Sequence, residues 1–557
     1  MDNNFPIRRS IWLLLVILIT LAYINSIGSP FVYDDKIEVV GNRTIRFIDK
    51  WEDILLYNPA RMLLQLSYAL NFHRAGFSPE SYHLTSLLIH IACAGACLFL
   101  VERIAVLSNK TTSSQALLLS SAVSIVWLLH PMATESVTYI TGRSESLCAL
   151  FSLLGLGFWA QYLHRPNVAG FSLAFLSVLL ASLSKEVGLI VPFLLVTMNL
   201  IFPVKLAWKR YVPFFILFLA GISLRFFIVA SELNTADLSL ILFNLLPREV
   251  ERPLLIQILT QMEVWLRYVW LWIFPYPQTI YHHVPNADIF SVRSVLVLSL
   301  WTTLLILGWK KSNNNPIARF AFLAAILVLL PSSIGNLKEN MAEHRSHQFG
   351  LFLWLYLLSF WINHLPKKVL FVMALLLTGL THQRNKVWES EVSLWKEATK
   401  HSPNVAEAWY GLGDSYRFAK RFEEALEAFT TCTTLDPEYL DCWNNLGICY
   451  AEMGDPLNSE RMWKEALLRD SGYCKAHTNL GFLAFRMQRW DDALIELQTA
   501  IVYCPTNSIA HYGLGSIFYG PRRDTKKAIY HFDTLLKIDP TFDYAEDARE
   551  KLLELTW

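Results

Sequence analysis

The sequence predicts an all-α protein in two parts, a polytopic membrane bundle of about 11 transmembrane helices followed by a helical-repeat solenoid. Three observations lead there. Hydrophobic residues make up 54% of the 557-residue chain and charged residues only 17%, whereas soluble domains carry roughly 25% charged residues. The apolar residues lie in long runs before Thr381, and the composition turns charged and aromatic after Arg384. In that second part glycines recur at a fixed period. The domain division expected from these features is 1–383 for the membrane part and 384–557 for the repeats.

Eleven apolar runs approach the ~17–25 residues that a membrane-spanning helix needs. They begin near Ile11, Tyr82, Gln115, Glu145, Val168, Val187, Tyr211, Ser291, Ile317, Phe349 and Lys368. The first has no small-residue cleavage site after Ile27 and is expected to remain as an anchor. Short loops rich in Lys and Arg favour the cytoplasmic side, which places Arg8 and Arg9 inside together with the loops Glu102–Lys110, His164–Arg165, Lys205–Arg210, Lys310–Lys311 and Lys367–Lys368. Residues 253–274 carry Gln257, Gln261, Glu263 and Arg267, and central charges are costly in a membrane, so an interfacial or re-entrant helix is expected there. Four loops, 29–81, 130–144, 231–288 and 334–348, then fall on the outer side with the C-terminus.

In the second part Gly413, Gly447, Gly481 and Gly515 follow one another at 34-residue steps, within WYGLG, WNNLG, HTNLG and HYGLG. That is the period of the tetratricopeptide helix-turn-helix. Small residues recur at Ala425, Ser459, Ala493 and Ala528, and closing prolines at Pro437, Pro505 and Pro540, with Ser471 in place of one and an extra residue near 520–524. Proline ends a helix because it cannot donate to the ladder. Four full repeats over about 406–540 result, preceded by a lone helix around Trp395 and Ala398 and followed by a closing helix over 542–555. Such solenoids present a concave surface to extended partners.

Composition excludes several functions. A net charge of +1 argues against nucleic acid, and eight cysteines without a CxxC pair argue against a zinc ribbon or thioredoxin-like centre. Cys432 with Cys442, and Cys474 with Cys504, come to the same end of their hairpins, but ordinary buried small residues are the expectation for all four.

The strongest local feature is FVYDD, with Asp34 and Asp35 directly after the first span. Standing alone, the pair would be solvated charges at a helix end. The outer loops and the nearby helix ends add Arg61, His83, His130, Glu135, Arg143, Lys185, Glu186, Glu339, Glu343, His344 and Arg345, and ionisable groups at bundle depth mark functional paths. Acidic residues on one loop and basic ones on others suit transfer of a group from an anionic lipid phosphate to a hydroxyl. A carboxylate accepts the hydroxyl proton and Arg or Lys holds the departing phosphate; for Arg61 and Lys185 the ordinary alternative is snorkelling to lipid headgroups. Alternatively, Asp34 and Asp35 could bind a divalent cation. Tyr281, His282 and His283 read as an interfacial aromatic–polar loop, with a metal or substrate role as the weaker alternative.

FVYDD, YHLTSLLIH at 82–90, HPMATESVTYITGR at 130–143, LSKE at 183–186 and AEHR at 342–345 occur in order. This set resembles the transmembrane and tetratricopeptide repeat-containing O-mannosyltransferases. The resemblance implies a GT-C membrane glycosyltransferase fold, a polyprenyl-phosphate sugar as donor and an exported-protein acceptor on the periplasmic or luminal side. It makes Asp34 the first choice of catalytic base with Asp35 as partner, and Arg143, Lys185, Arg345 and Arg61 the candidate donor-phosphate contacts. His83, His130, Glu135, Glu186, Glu343 and His344 would shape the site. The chain departs from the family pattern at Met62 and at Ser346, His347 and Gln348.

The function expected is inverting transfer of a single sugar, mannose on this resemblance, with the repeats recruiting the acceptor. A non-enzymatic membrane scaffold is the alternative from another class, but it needs one span and no ordered polar motifs. A ligase moving a whole oligosaccharide is the nearest alternative among enzymes. A transporter would show internal symmetry between halves of the membrane part, and none is visible.

Overall fold

The computed structural model describes residues 5–202, 204, 207–232, 252–334, 339–361, 364, 366–539 and 542–556. Lys205, Pro540 and residues 233–251 of the loop expected on the outer side lie outside them. Among the described residues every regular element is helical. The chain divides into two compact units, Met1–Glu397 and Ala398–Trp557.

Each of the eleven expected spans falls on an apolar helix or its first turn, but the helices are not equally long. Among the described residues six are long and apolar enough to cross a membrane: Ile7–Ser26, Pro79–Ser108, Arg143–His164, Trp208–Ile228, Val292–Ser312 and Pro316–Ile334. A seventh exists if Ser113–Leu128 is counted with Pro131–Val137, which bends away from it by 63°. The spans expected from Val168 and Val187 are the shorter helices Val168–Ser184 and Glu186–Ile201, and His347–Ser359 has 13 residues. The count of eleven thus mixes complete spans with interrupted ones. Two interruptions, at His130-Pro131 and at Lys185-Glu186, and the start of His347–Ser359 are where polar motifs enter the bundle.

Bundle packing follows from small residues. In lipid there is little hydrophobic drive between helices, so close approach and dispersion hold them. A methyl group on Gly157 would lie 2.5 Å from the Phe99 ring, and one on Gly350 would lie 2.2 Å from Trp272. Trp272 is fully buried, donates from Nε1 to Ser346 Oγ (2.9 Å) and stacks on His130. The helix Leu254–Ile273 pairs polar side chains with three backbone carbonyls: Gln257 Nε2 donates to that of Ser333, Gln261 Nε2 to that of Asn340, and the Tyr268 hydroxyl to that of Ala342. Leu254, Leu255 and Trp270 remain exposed. Outward apolar side chains such as Val292, Leu296, Phe371 and Leu376 suit a hydrocarbon environment.

The second unit contains four helix pairs, Ala406–Phe418 with Phe422–Leu435, Leu440–Glu452 with Pro456–Arg469, Cys474–Arg486 with Trp490–Tyr503, and Ser508–Tyr519 with Thr525–Ile538, then Ala545–Thr556. The periodic glycines seat Phe429, Trp463, Leu497 and Phe532 of the paired helix. Ser459 replaces alanine without cost because its hydroxyl donates to the Gly447 carbonyl. The extra residue is absorbed in the turn before Thr525, where Arg523 takes a left-handed φ of 51°.

The cysteine expectation is overturned. Cys432 is bonded to Cys442 and Cys474 to Cys504, with Cα separations of 6.3 and 6.1 Å, inside the usual span of roughly 4.4–6.8 Å. The first bond ties one repeat to the next, and the second closes a single hairpin. Cys93, Cys97, Cys148 and Cys449 stay free and buried.

Two outcomes follow. Thiol labelling of the denatured chain without reductant should modify these four cysteines and spare the other four, and mass spectrometry of peptides checks this. Gly447→Ala would put a carbon 2.4 Å from Trp463 Nε1 and should destabilise the repeats by about 1–3 kcal/mol, read as a lowered melting transition.

Candidate active site

The segment after the first helix enters the bundle through one unusual residue. Tyr33 has φ +54°, a left-handed conformation that costs a bulky residue about 1–3 kcal/mol. The chain then turns into the short helix Lys36–Val40. Because successive residues in a helical turn are about 100° apart, Asp34 and Asp35 point in different directions.

Asp35 is completely buried. Its Oδ1 accepts from both the backbone N–H and the hydroxyl of Thr141 at 2.7 Å, and its Oδ2 from the Val32 N–H at 3.4 Å. It fastens the segment after the first helix to the one around Thr141. Burial pushes its carboxyl up to about 7, although the hydrogen bonds from Thr141 and Val32 pull the other way. Asp34 instead lines a cavity and accepts the Tyr139 hydroxyl at 2.9 Å. The two carboxylates therefore do not form a shared cation site, and among the described residues no cluster of three His, Cys, Asp or Glu side chains is arranged to hold a metal.

The cavity measures about 1080 Å³ and has two kinds of wall. Its polar lining comes from four segments: Tyr33, Asp34 and Arg61; Glu135, Tyr139 and Glu145; Lys185 and Glu186; and Glu339, His344 and Arg345. Its other walls are apolar, with Leu179, Leu183, Phe193, Leu217, Phe218 and Leu327 among them, and with Arg225 set into them. Lys185 Nζ lies 2.6 Å from Glu145 Oε1, and Arg61 Nε 3.5 Å from Glu186 Oε1. Glu135 Oε2 accepts the His344 N–H at 2.8 Å and sits 3.1 Å from its Nδ1, leaving Oε1 buried with no hydrogen-bond partner among the described residues. Arg345 Nη1 donates to the Glu339 carbonyl, while Glu339 Oε1 accepts the Tyr33 hydroxyl at 2.8 Å. Burial, and the nearby charges of Asp34 and Glu135, raise the Glu339 carboxyl above its ordinary range despite the Tyr33 bond and Arg345.

Asp34, Arg61, Glu135, Lys185, Glu186, His344 and Arg345 thus reach the cavity, and the other expected site residues do not. Arg143, expected at the donor phosphate, is fully buried between the rings of Tyr68 and Tyr82. Its guanidinium donates to Ser86 Oγ, Ser67 Oγ, Asn71 Oδ1 and the Tyr82 carbonyl, all at 2.7–3.1 Å, so its donors are spent inside the protein. Glu343 accepts from Gln278, the Thr279 N–H and His282. Burial would raise its carboxyl, but these bonds and the Arg384 charge hold it low. His282 is therefore part of a buried brace. His83 donates to the Ser29 carbonyl, and His130 accepts the Met132 N–H while stacking on Trp272. Sequence reasoning missed Tyr33, Tyr139, Glu145 and Arg225. The two tyrosines stand inside the quoted motifs, and that adjacency was the available signal.

Asp35 has a pH consequence. Its carboxyl stays protonated in the fold up to about 7, whereas an unfolded aspartate ionises near 3.9. As pH rises between these values the unfolded state is favoured by losing the proton first. The thermal midpoint of wild type relative to Asp35→Asn should therefore fall from about pH 4 to pH 7 and level off above that, a difference that melts at several pH values would record.

Comparison with known proteins points the same way as the motifs. The tetratricopeptide repeat family models match residues 406–439 and 478–541. Protein O-mannosyl-transferase TMTC3 of Homo sapiens is 25% identical over 81% of this chain, and Protein O-mannosyl-transferase F38B6.6 of Caenorhabditis elegans is 22% identical over 77%. The chain spans 54% and 63% of those two relatives. Among solved structures, MamA is 20% identical and covers 27% of this chain and 86% of its own, with a TM-score of 0.24. The C-terminal unit thus carries tetratricopeptide repeats, and along about four-fifths of its length the chain is similar to Protein O-mannosyl-transferase TMTC3.

Proposed function

We propose that this chain transfers a single mannosyl residue from a polyprenyl-phosphate carrier to a Ser or Thr hydroxyl of an exported protein, at the outer face of the membrane and with inversion. The observation that carries this reading is the mixed lining of the cavity, in which the Asp34 carboxylate and the cations Arg61, Lys185 and Arg345 share one volume with many apolar side chains, Leu179, Leu183, Phe193, Leu217 and Phe218 among them. An isoprenoid tail suits the apolar walls and a phosphate suits the cations.

In this mechanism Asp34 accepts the proton of the acceptor hydroxyl as its oxygen attacks the anomeric carbon, and the bond to the phosphate oxygen breaks on the opposite side. Tyr139 orients the Asp34 carboxylate. Arg61 and Lys185 each already face a carboxylate, Glu186 and Glu145, so a phosphate would compete for cations held in position. Arg345 lines the cavity and is held by its bond to the Glu339 carbonyl. Asp35 takes no part in the chemistry and holds the loop. The names of the relatives support a protein acceptor, and the repeats supply the surface to recruit one. Disulfides within the repeats fit an oxidising compartment and hence an outer-side location for that unit, with the N-terminus cytoplasmic.

The test is transfer in vesicles from polyprenyl-phosphate mannose to an acceptor protein, read as a hexose gained on Ser or Thr and as the anomeric configuration of the product. Asp34→Asn should lower the rate by about 10²-fold or more, while Asp35→Asn, which keeps an acceptor for Thr141, should stay within about tenfold of wild type. Full transfer by a folded Asp34→Asn variant would refute the assignment.

A further inference from the structure

The segment just before the repeats grips the catalytic loop from two sides. Glu391 Oε1 accepts the backbone N–H of Tyr33 at 3.1 Å, and its Oε2 pairs with Lys36 Nζ. One carboxylate thus spans the turn that contains Asp34. The Trp395 ring meets the Tyr33 ring edge-on, with centroids 5.7 Å apart. On the other side the fully buried Trp388 stacks on Tyr139 at 5.5 Å, and Tyr139 is the residue that donates to Asp34. Asn385 completes the grip, accepting the Thr138 hydroxyl at 2.7 Å and donating to the Ala22 carbonyl at 2.9 Å.

A left-handed tyrosine persists only where its surroundings hold it. The Tyr33 N–H is therefore a sensitive point, because a shift there swings the next residue. An exposed ion pair alone contributes little, and Lys36 is 42% exposed; the half-buried bond to a strained backbone is the part with leverage over Asp34.

We propose that Glu391, with Trp388 beside it, is a positioning residue for the transfer reaction, fixing the turn at Tyr33 and the Tyr139 donor so that Asp34 faces the acceptor hydroxyl. This rests on the reading of Asp34 as the base. It predicts a defect in turnover rather than in binding, since Glu391 does not line the cavity.

The experiment compares wild type, Glu391→Ala and Glu391→Gln as full chains in vesicles, with hydrogen exchange of the 31–40 peptide measured on the same preparations. Glutamine keeps an acceptor for the Tyr33 N–H; alanine does not. Glu391→Ala should lower kcat by about tenfold or more, leave KM for donor and acceptor within about twofold, and speed exchange in 31–40, while Glu391→Gln restores most of both. Unchanged exchange in Glu391→Ala, equal impairment of the two variants, or a loss confined to KM would overturn the proposal. Wild-type chain that transfers no sugar would instead refute the proposed function, and the exchange comparison would still decide whether Glu391 holds the turn.

Discussion

A charge taken into a low-dielectric bundle must find its partner within the protein, and much of the membrane unit is arranged to meet that demand. Breaking one partner of a buried pair leaves an uncompensated charge that costs several kcal/mol. Arg143 is met by two hydroxyls, an amide oxygen and a carbonyl, Glu343 by an amide, a backbone N–H and an imidazole, and Lys185 by Glu145. These local solutions also set the course of the backbone. The helices break where such groups enter, and the breaks let loops reach bundle depth, as irregular backbone there must be lined by protein or by a cavity.

The same constraint separates what could be read in the sequence from what could not. Apolar runs and 34-residue steps are one-dimensional patterns, so the helices of the bundle and the four repeats were legible. Asp34 was legible because it follows the first span. That Asp35 would turn away was not, because the divergence depends on the helical turn that the pair enters, and two adjacent aspartates carry no signal for that turn. Arg143 shows the general difficulty. A buried arginine in a polar motif reads as a ligand for an anion, yet its donors are taken by residues 57 to 76 positions away, and only the fold brings those together. Glu145 was hidden for the opposite reason. It stands in the first turn of an apolar helix, where it marks a span's beginning, and becomes a site residue through Lys185, forty positions on.

The cysteines were a matter of distance. Spacing can place two thiols at the same end of a hairpin, but a bond requires Cα atoms within about 7 Å, and that is a property of how closely the helices approach. The repeats' small residues, Ala425, Ala428, Ala493 and Ala500 among them, are fully or almost fully buried at the interface and bring the helix ends close enough.

These two bonds are also short-range and unnested, bridging 10 and 30 positions along the chain with no overlap between their loops. Each can close once its own stretch has been made, in the order of synthesis, without waiting for later repeats. Correct pairing can thus be decided locally and early, with Cys449 the nearest free thiol that could intrude; its burial in the completed repeat removes that competitor as the helix pair forms.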